Sequence, residues 1–167
     1  MKTRLLTLGV ALGVAAAIVA TAQARAPNNA SVMLRKNTLG TILVDPRGHT
    51  LYLFEKDGKG TSACTSACLG YWPAFTSRTV PHAGTGVQQS LLHVVKQQNG
   101  LRQVTYAGHP LYTFVGDKSP GQTTGEGLTN FGAGWDAVAA SGQKVEKSQS
   151  NNGGYTSGGG YGSGGGY

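Results

Sequence analysis

The sequence is poor in charge and above all in acidic residues. Only 13% of the chain is charged, and seven residues are Asp or Glu. Few acid/base pairs are therefore possible: Glu55 and Asp57 lie together at a predicted strand end, and Glu126 stands alone between glycines. The chain also lacks G-x-S-x-G, H-E-x-x-H and a phosphate-binding glycine loop that opens a helix. We predict a non-enzymatic protein without a cofactor; a hydrolase with an unrecognised arrangement stays open.

Basic residues outnumber acidic ones, yet they form no nucleic-acid surface. Fourteen Lys and Arg give the chain a formal net charge of +7. The longest run of adjacent bases is Arg35-Lys36, and the bases show neither a helical stripe nor interleaved aromatics. We therefore predict a solvated surface with no specific nucleic-acid partner. Weak attraction to anionic envelope polymers or lipid headgroups is the alternative.

A hydrophobic run long enough to span a membrane is also missing. Lys2 and Arg4 precede an uncharged run, Leu5 to Ala20, which is short of the roughly 20 residues that a spanning helix needs. Ala22-Gln23-Ala24 follows it as an A-x-A site. This pattern predicts a Sec-type signal peptide, residues 1–24, and a periplasmic or extracellular mature chain. No cysteine lies near the cut, so we expect no lipid anchor and no transmembrane segment in the mature chain.

The composition changes sharply near the C-terminus. From Asn151 to Tyr167, nine of 17 residues are Gly, and Tyr155, Tyr161 and Tyr167 recur every six residues. Such a segment has too little apolar surface to offset its ordering entropy. We predict a disordered tail over 148–167. Its tyrosines acting as adhesive contacts to an envelope polymer or protein is the alternative hypothesis.

The central part of the chain, residues 27–147, repeats itself. Gly48 to Asp57 aligns with Gly108 to Asp117 at a constant offset of 60, and six of the ten positions are identical. Trp72-Pro73-Ala74-Phe75 likewise corresponds to Trp135-Asp136-Ala137-Val138. We infer two units, at about 31–80 and 90–140.

Each unit is predicted to be an antiparallel meander of short strands. Its segments are rich in Val, Leu, Thr, Tyr and Phe and are separated by turn residues such as Asp45-Pro46-Arg47-Gly48. Alternation places Tyr52 and Phe54 on one face of the third strand, opposite Leu51 and Leu53. No sustained helical period occurs, apart from a possible turn in 62–71. The fold class is therefore all-β: two meanders forming one small sandwich or barrel.

The paired motifs carry a resemblance to a known family. Tyr52-x-Phe54-x-x-Asp57 and Tyr112-x-Phe114-x-x-Asp117 occur in tandem after a predicted signal peptide. In this respect the chain, over about residues 31–140, resembles the bacterial secreted repeats often described as lipoproteins with a Y-x-(F/W/Y)-x-x-D motif. The resemblance implies an envelope location and tandem organisation, but no established activity. The chain departs from the pattern because it lacks a lipobox cysteine.

The motif residues themselves favour a structural role. Asp57 and Asp117 follow the predicted strands directly, where a carboxylate accepts hydrogen bonds from turn N–H groups. The four aromatic residues are then core, and buried tyrosine hydroxyls need partners. A ligand pocket lined by these aromatics is the alternative.

Two cysteines and two histidines complete the candidate residues. Cys64 and Cys68 have a C-x3-C spacing that a helical turn can bridge, so we predict a disulfide; a redox-active pair or thiolate metal site stays open. His49 and His109 occupy equivalent positions, and imidazole suits copper, zinc or haem iron. We predict a binding or interaction module of the envelope, with an unknown envelope protein or polymer as partner and an undetermined oligomeric state. The alternative is a periplasmic metal-binding or redox-accessory protein that uses both histidines.

Overall fold

The computed structural model describes residues 31–145, which form mostly short strands. The predicted signal peptide, 1–24, and tail, 148–167, lie outside these residues and stay predictions. In chain order the elements are β1 (Ser31–Asn37), β2 (Gly40–Val44), β3 (Tyr52–Phe54), α1 (Ser66–Leu69), β4 (His82–Ala83), a 3-10 turn (Gln89–Leu91), β5 (Leu92–Lys96), β6 (Arg102–Tyr106), β7 (His109–Pro110), β8 (Leu128–Asn130) and β9 (Ala133–Ala137).

Each unit begins with a hairpin whose turn is stabilised by an asparagine. β1 pairs with β2 and β5 pairs with β6, both antiparallel. The Asn37 Oδ1 accepts a hydrogen bond from the Leu39 N–H, and the Asn99 Oδ1 accepts one from the Leu101 N–H. Asparagine favours such turns because its side chain replaces a backbone acceptor two residues away.

The strands form three small sheets. Their orders are β2-β1-β4, β3-β9-β8 and β5-β6-β7, and isolated bridges join them. The all-β class is confirmed, and α1 lies within the segment predicted to hold a helical turn. Of the sandwich and barrel alternatives, a closed barrel is not formed by residues 31–145.

The two units meet at their third segments. Tyr52 N–H donates to the Tyr112 carbonyl at 2.9 Å, and Tyr112 N–H donates to the Tyr52 carbonyl at 3.0 Å. This reciprocal antiparallel pair joins equivalent residues of the two units. An approximate two-fold axis therefore relates the units, and it passes between the motif tyrosines.

The units also exchange their last segments. β9 of the second unit pairs with β3 of the first, with Tyr52 opposite Ala137. In return, Ala74 of the first unit is bridged to Tyr112 of the second. The Phe75 N–H donates to the Leu111 carbonyl at 2.8 Å, and the Thr113 N–H donates to the Pro73 carbonyl at 2.9 Å. Each unit thus completes the other.

The predicted alternation of faces along β3 is reflected in two separate core clusters. Tyr52 and Phe54 belong to a cluster built around the two tryptophans, whereas Leu51 and Leu53 belong to an aliphatic cluster. All four are almost fully buried. Burial on both faces explains why this short strand carries no solvent-facing polar residue.

Candidate functional site

The motif tyrosines and aspartates pair across the two units. The Tyr52 hydroxyl donates to the Asp117 Oδ2 at 2.7 Å, and the Tyr112 hydroxyl donates to the Asp57 Oδ2 at 2.8 Å. Both rings are fully buried, so each hydroxyl needs such a partner. Each motif tyrosine is therefore hydrogen-bonded to the motif aspartate of the other unit.

The second oxygen of each carboxylate binds the loop that follows it. Asp57 Oδ1 accepts a hydrogen bond from the Ala63 N–H at 2.7 Å. Asp117 Oδ1 accepts two, from the Thr124 N–H at 2.8 Å and the Thr124 hydroxyl at 2.6 Å. The carboxylates thus receive backbone hydrogen bonds of the kind expected from their position after a strand, in addition to the cross-unit bonds.

Burial shifts the proton affinity of this cluster. Removal of the Asp57 carboxyl from water raises its pKa to about 6, although the hydrogen bonds from Ala63 and Tyr112 oppose the shift. Burial also raises the pKa of Tyr112, with a further contribution from the negative charge of Asp57. The pKa of Tyr52 is raised by burial and by its hydrogen bond to Asp117. Both phenols therefore stay protonated and remain donors at neutral pH.

Next to these pairs, four aromatic rings form one continuous stack. Phe54 stacks on Trp135, Trp135 on Trp72, and Trp72 on Phe114, with centroid separations of 4.2, 3.9 and 4.4 Å. Each phenylalanine therefore contacts the tryptophan of the other unit. Each aromatic pair contributes about 0.5–1.5 kcal/mol of stability beyond the burial of its surface. The stack is therefore a second contact between the units, with the same symmetry as the tyrosine–aspartate pairs.

Asn130 satisfies both buried indoles. Its Oδ1 accepts a hydrogen bond from the Trp72 Nε1 at 3.0 Å, and its backbone carbonyl accepts one from the Trp135 Nε1 at 3.3 Å. Asn130 was not singled out in the sequence because one residue of the second unit serves both tryptophans. At the spacing that aligns Trp135 with Trp72, its counterpart in the first unit is Ala67, so the repeat does not mark it.

The predicted disulfide is present between Cys64 and Cys68. It closes the turn around α1, and the Trp72 N–H donates to the Cys68 carbonyl at 2.9 Å directly after it. The same loop supplies Ser62, whose hydroxyl lies 2.7 Å from that of Tyr112. The disulfide therefore lies in the loop that carries both the tryptophan of the first unit and a partner of the motif tyrosine.

The two histidines occupy different surroundings despite their equivalent sequence positions. The Nδ1 of His49 lies 3.5 Å from the Asp45 Oδ2, whereas His109 lines a cavity together with Asp57. Within residues 31–145, no group of three or more His, Cys, Asp or Glu side chains could hold a metal ion. The hypothesis of a metal site on His49 and His109 thus gains no further ligand from this part of the chain.

The cavity beside Asp57 has a volume of about 300 Å³. Its wall combines apolar side chains with polar and charged ones: Leu53, Phe54, Glu55, Asp57, His109, Gln143 and Lys144. At its rim the Lys144 Nζ pairs with the Glu55 Oε1 at 2.8 Å, and this ion pair lowers the pKa of Glu55. The cavity therefore borders one of the two crossed pairs.

An exposed aromatic patch lies elsewhere on the surface. It consists of Tyr71, Val115 and Phe131, which are 60%, 39% and 38% exposed. The rings of Tyr71 and Phe131 are 5.9 Å apart and tilted by 45°, and the Val115 N–H donates to the Tyr71 carbonyl at 3.1 Å. Three separate segments of the chain thus meet in one apolar surface.

Phe131 is held in this aromatic patch by an unfavourable backbone conformation. With Gly132 it forms the two-residue turn between β8 and β9, where φ is 55° at Phe131 and 91° at Gly132. Asn, Asp or Gly normally occupies the first of these positions, because a left-handed backbone costs other residues about 1–2 kcal/mol. Strain of this kind in a bulky residue is concentrated at functional sites.

Both repeats of the chain match a known protein family. The model of a family described as a secreted repeat of unknown function matches residues 33–76 and 93–139. No curated protein and no solved structure matches significantly. Within the described residues there is no helix long and apolar enough to cross a membrane.

Proposed function

Because the chain belongs to this family of secreted repeats of unknown function, we propose its role from its own residues: a non-enzymatic envelope protein, exported through its signal sequence, that binds an envelope partner. In this proposal the crossed motifs are the scaffold and the aromatic patch is the binding surface. The disulfide is consistent with an oxidising compartment outside the cytoplasm.

The observation that carries this proposal is the strained, exposed Phe131. A buried phenylalanine would offset the strain of its turn by packing, but Phe131 keeps more than a third of its surface in water. Asn would fit the turn better and would cost little packing. Binding of a partner that covers Phe131 and Tyr71 would explain why an aromatic residue occupies this turn, since exposed apolar clusters are characteristic of interaction sites.

A positive charge near the aromatic patch favours a negatively charged partner. The Lys56 ammonium group lies close to Gly132, the residue after Phe131. The chain as a whole is basic. Long-range attraction would bring an anionic envelope polymer to this surface, and the rings would then supply the short-range contact.

Cosedimentation with the insoluble envelope of the producing cell tests the proposal. Phe131→Asn is expected to weaken binding about tenfold or more while its unfolding free energy stays within about 1 kcal/mol of the unmodified protein, because relief of turn strain offsets lost packing. Leu101→Ser is the matched control, since Leu101 is equally exposed, at 38%, but lies outside the aromatic patch.

Binding that survives Phe131→Asn and Tyr71→Ser together would refute the proposal. So would an equal loss with Leu101→Ser, because general surface hydrophobicity would then explain the interaction. Treating the envelope with protease beforehand distinguishes a polymer from a protein as the partner.

A further inference from the structure

The cavity beside Asp57 shares no lining residue with the aromatic patch. Its volume of about 300 Å³ matches the lower end of small-molecule sites, which bring apolar walls together with a few polar groups. Leu53 and Phe54 supply buried apolar wall, and Asp57, His109 and Gln143 supply polar groups. It is therefore large enough for a small ligand with a polar head and a short apolar stem.

The charge of this wall is unbalanced. Two carboxylates, Glu55 and Asp57, face one ammonium group, Lys144. That ammonium is 2.8 Å from Glu55, and within residues 31–145 neither Lys nor Arg forms an ion pair with Asp57. The carboxylates of this wall therefore outnumber its ammonium groups by one, in a protein whose formal net charge is +7.

Comparison of the two units identifies a missing hydrogen-bond donor at Asp57. In the second unit Asp117 Oδ1 receives both the N–H and the hydroxyl of Thr124. In the first unit the corresponding donor is Ala63, which offers its N–H alone. Asp57 therefore lacks the second donor that its counterpart has, and it is Asp57, not Asp117, that borders the cavity.

We propose that this cavity binds a small organic cation, with a primary ammonium group on Asp57 and a short alkyl stem along Leu53 and Phe54. The ammonium supplies the hydrogen-bond donor that Thr124 supplies in the other unit. It also supplies the positive charge that the wall lacks. A charge-assisted hydrogen bond in a partly desolvated site is stronger than one between neutral groups. This inference does not depend on the aromatic patch or on its partner.

Titration with n-butylammonium chloride, followed by the ¹³Cγ signals of the aspartates in the full mature chain, tests this proposal. The Asp57 signal is expected to shift and to saturate, whereas the Asp117 signal stays in place as an internal control. Sodium chloride at the same ionic strength controls for screening, and n-butanol controls for apolar filling of the cavity.

Two variants locate the ammonium group. Ala63→Thr reproduces the second unit and is expected to weaken binding about tenfold or more, because the new hydroxyl occupies the Asp57 acceptor. Asp57→Asn keeps an acceptor for the Tyr112 hydroxyl but removes the charge, and it should lose binding to a similar extent. Thr124→Ala, the reciprocal change in the other unit, should leave binding unchanged.

Acidification gives an independent readout. The titratable groups near Asp57 are those that line the cavity with it, Glu55, His109 and Lys144, and the Tyr112 hydroxyl, which donates to it. Because the pKa of Asp57 is about 6, lowering the pH from about 7 to about 5 reduces its ionised fraction roughly tenfold and should reduce affinity by that factor. Equal shifts with n-butanol, no saturation, or unchanged binding by both Ala63→Thr and Asp57→Asn would overturn the proposal.

Discussion

The crossed pairing of the motifs makes a quantitative prediction about Tyr52. Substitution Tyr52→Phe removes the hydroxyl that donates to Asp117 at 2.7 Å and leaves a carboxylate that is only 7% exposed with one donor fewer. Hydrogen bonds to charged groups contribute about 1.5–3 kcal/mol, and Thr124 still supplies two donors. We therefore expect a loss of about 2 kcal/mol in unfolding free energy, or roughly 6–12 °C in Tm.

Urea unfolding followed by tryptophan fluorescence measures this loss. Tyr71→Phe is the matched control, because the Tyr71 side chain is 60% exposed and its substitution should change stability by less than about 0.5 kcal/mol. A loss for Tyr52→Phe no larger than that of the control would show that the Tyr52–Asp117 bond contributes nothing net.

Double-mutant cycles test the crossing itself. Tyr52→Phe combined with Asp117→Asn should show a coupling energy of about 1–2 kcal/mol, whereas Tyr52→Phe combined with Asp57→Asn should be close to additive. Larger coupling within one motif than across the two motifs would refute the reasoning, since it would place each tyrosine with the aspartate of its own unit.

Two further predictions follow from the same architecture. Fragments 25–80 and 81–145 should each be unfolded alone and should regain structure when mixed, because each unit's last segment pairs with the other unit. Circular dichroism of the separate and mixed fragments measures this. A stably folded single fragment would contradict the exchange. The pKa of Asp57 is raised to about 6 from an ordinary 3.8, so its contribution to stability is complete below about pH 4 and is lost as the pH rises through 6. After discounting for partial exposure, the unfolding free energy relative to Asp57→Asn should fall by about 1–3 kcal/mol over that range. A difference in unfolding free energy that does not change with pH would show that Asp57 has an ordinary pKa.

Much of the local structure could be predicted because short-range patterns determine it. The asparagine and glycine turns indicated the hairpins, and the alternation around Tyr52 indicated two buried faces. The C-x3-C spacing indicated the disulfide, since one helical turn brings such cysteines together. Each of these features depends on residues fewer than ten positions apart.

The candidate sites could not be predicted from the sequence in the same way. The aromatic patch unites Tyr71, Val115 and Phe131 from three distant segments, and nothing local to Phe131 indicates the left-handed turn that exposes it. The difference between Asp57 and Asp117 could not be found from the sequence repeat, because Ala63 follows Asp57 by six residues whereas Thr124 follows Asp117 by seven. The two residues correspond only through the carboxylates to which both donate.

The sequence by itself determined that this protein has two equivalent β units with buried aromatic motifs, since a constant offset and a two-residue period are visible along the chain. Only the tertiary structure decided that the units exchange their last segments and that Tyr52 binds Asp117 while Tyr112 binds Asp57. Periodicity shows which face of a strand a residue occupies, but it does not show which strand lies beside it. The backbone of a strand can form the same hydrogen bonds with a strand of its own unit or of the other unit. The choice between them is made by packing of the whole core, where two tryptophans from different units stack at 3.9 Å.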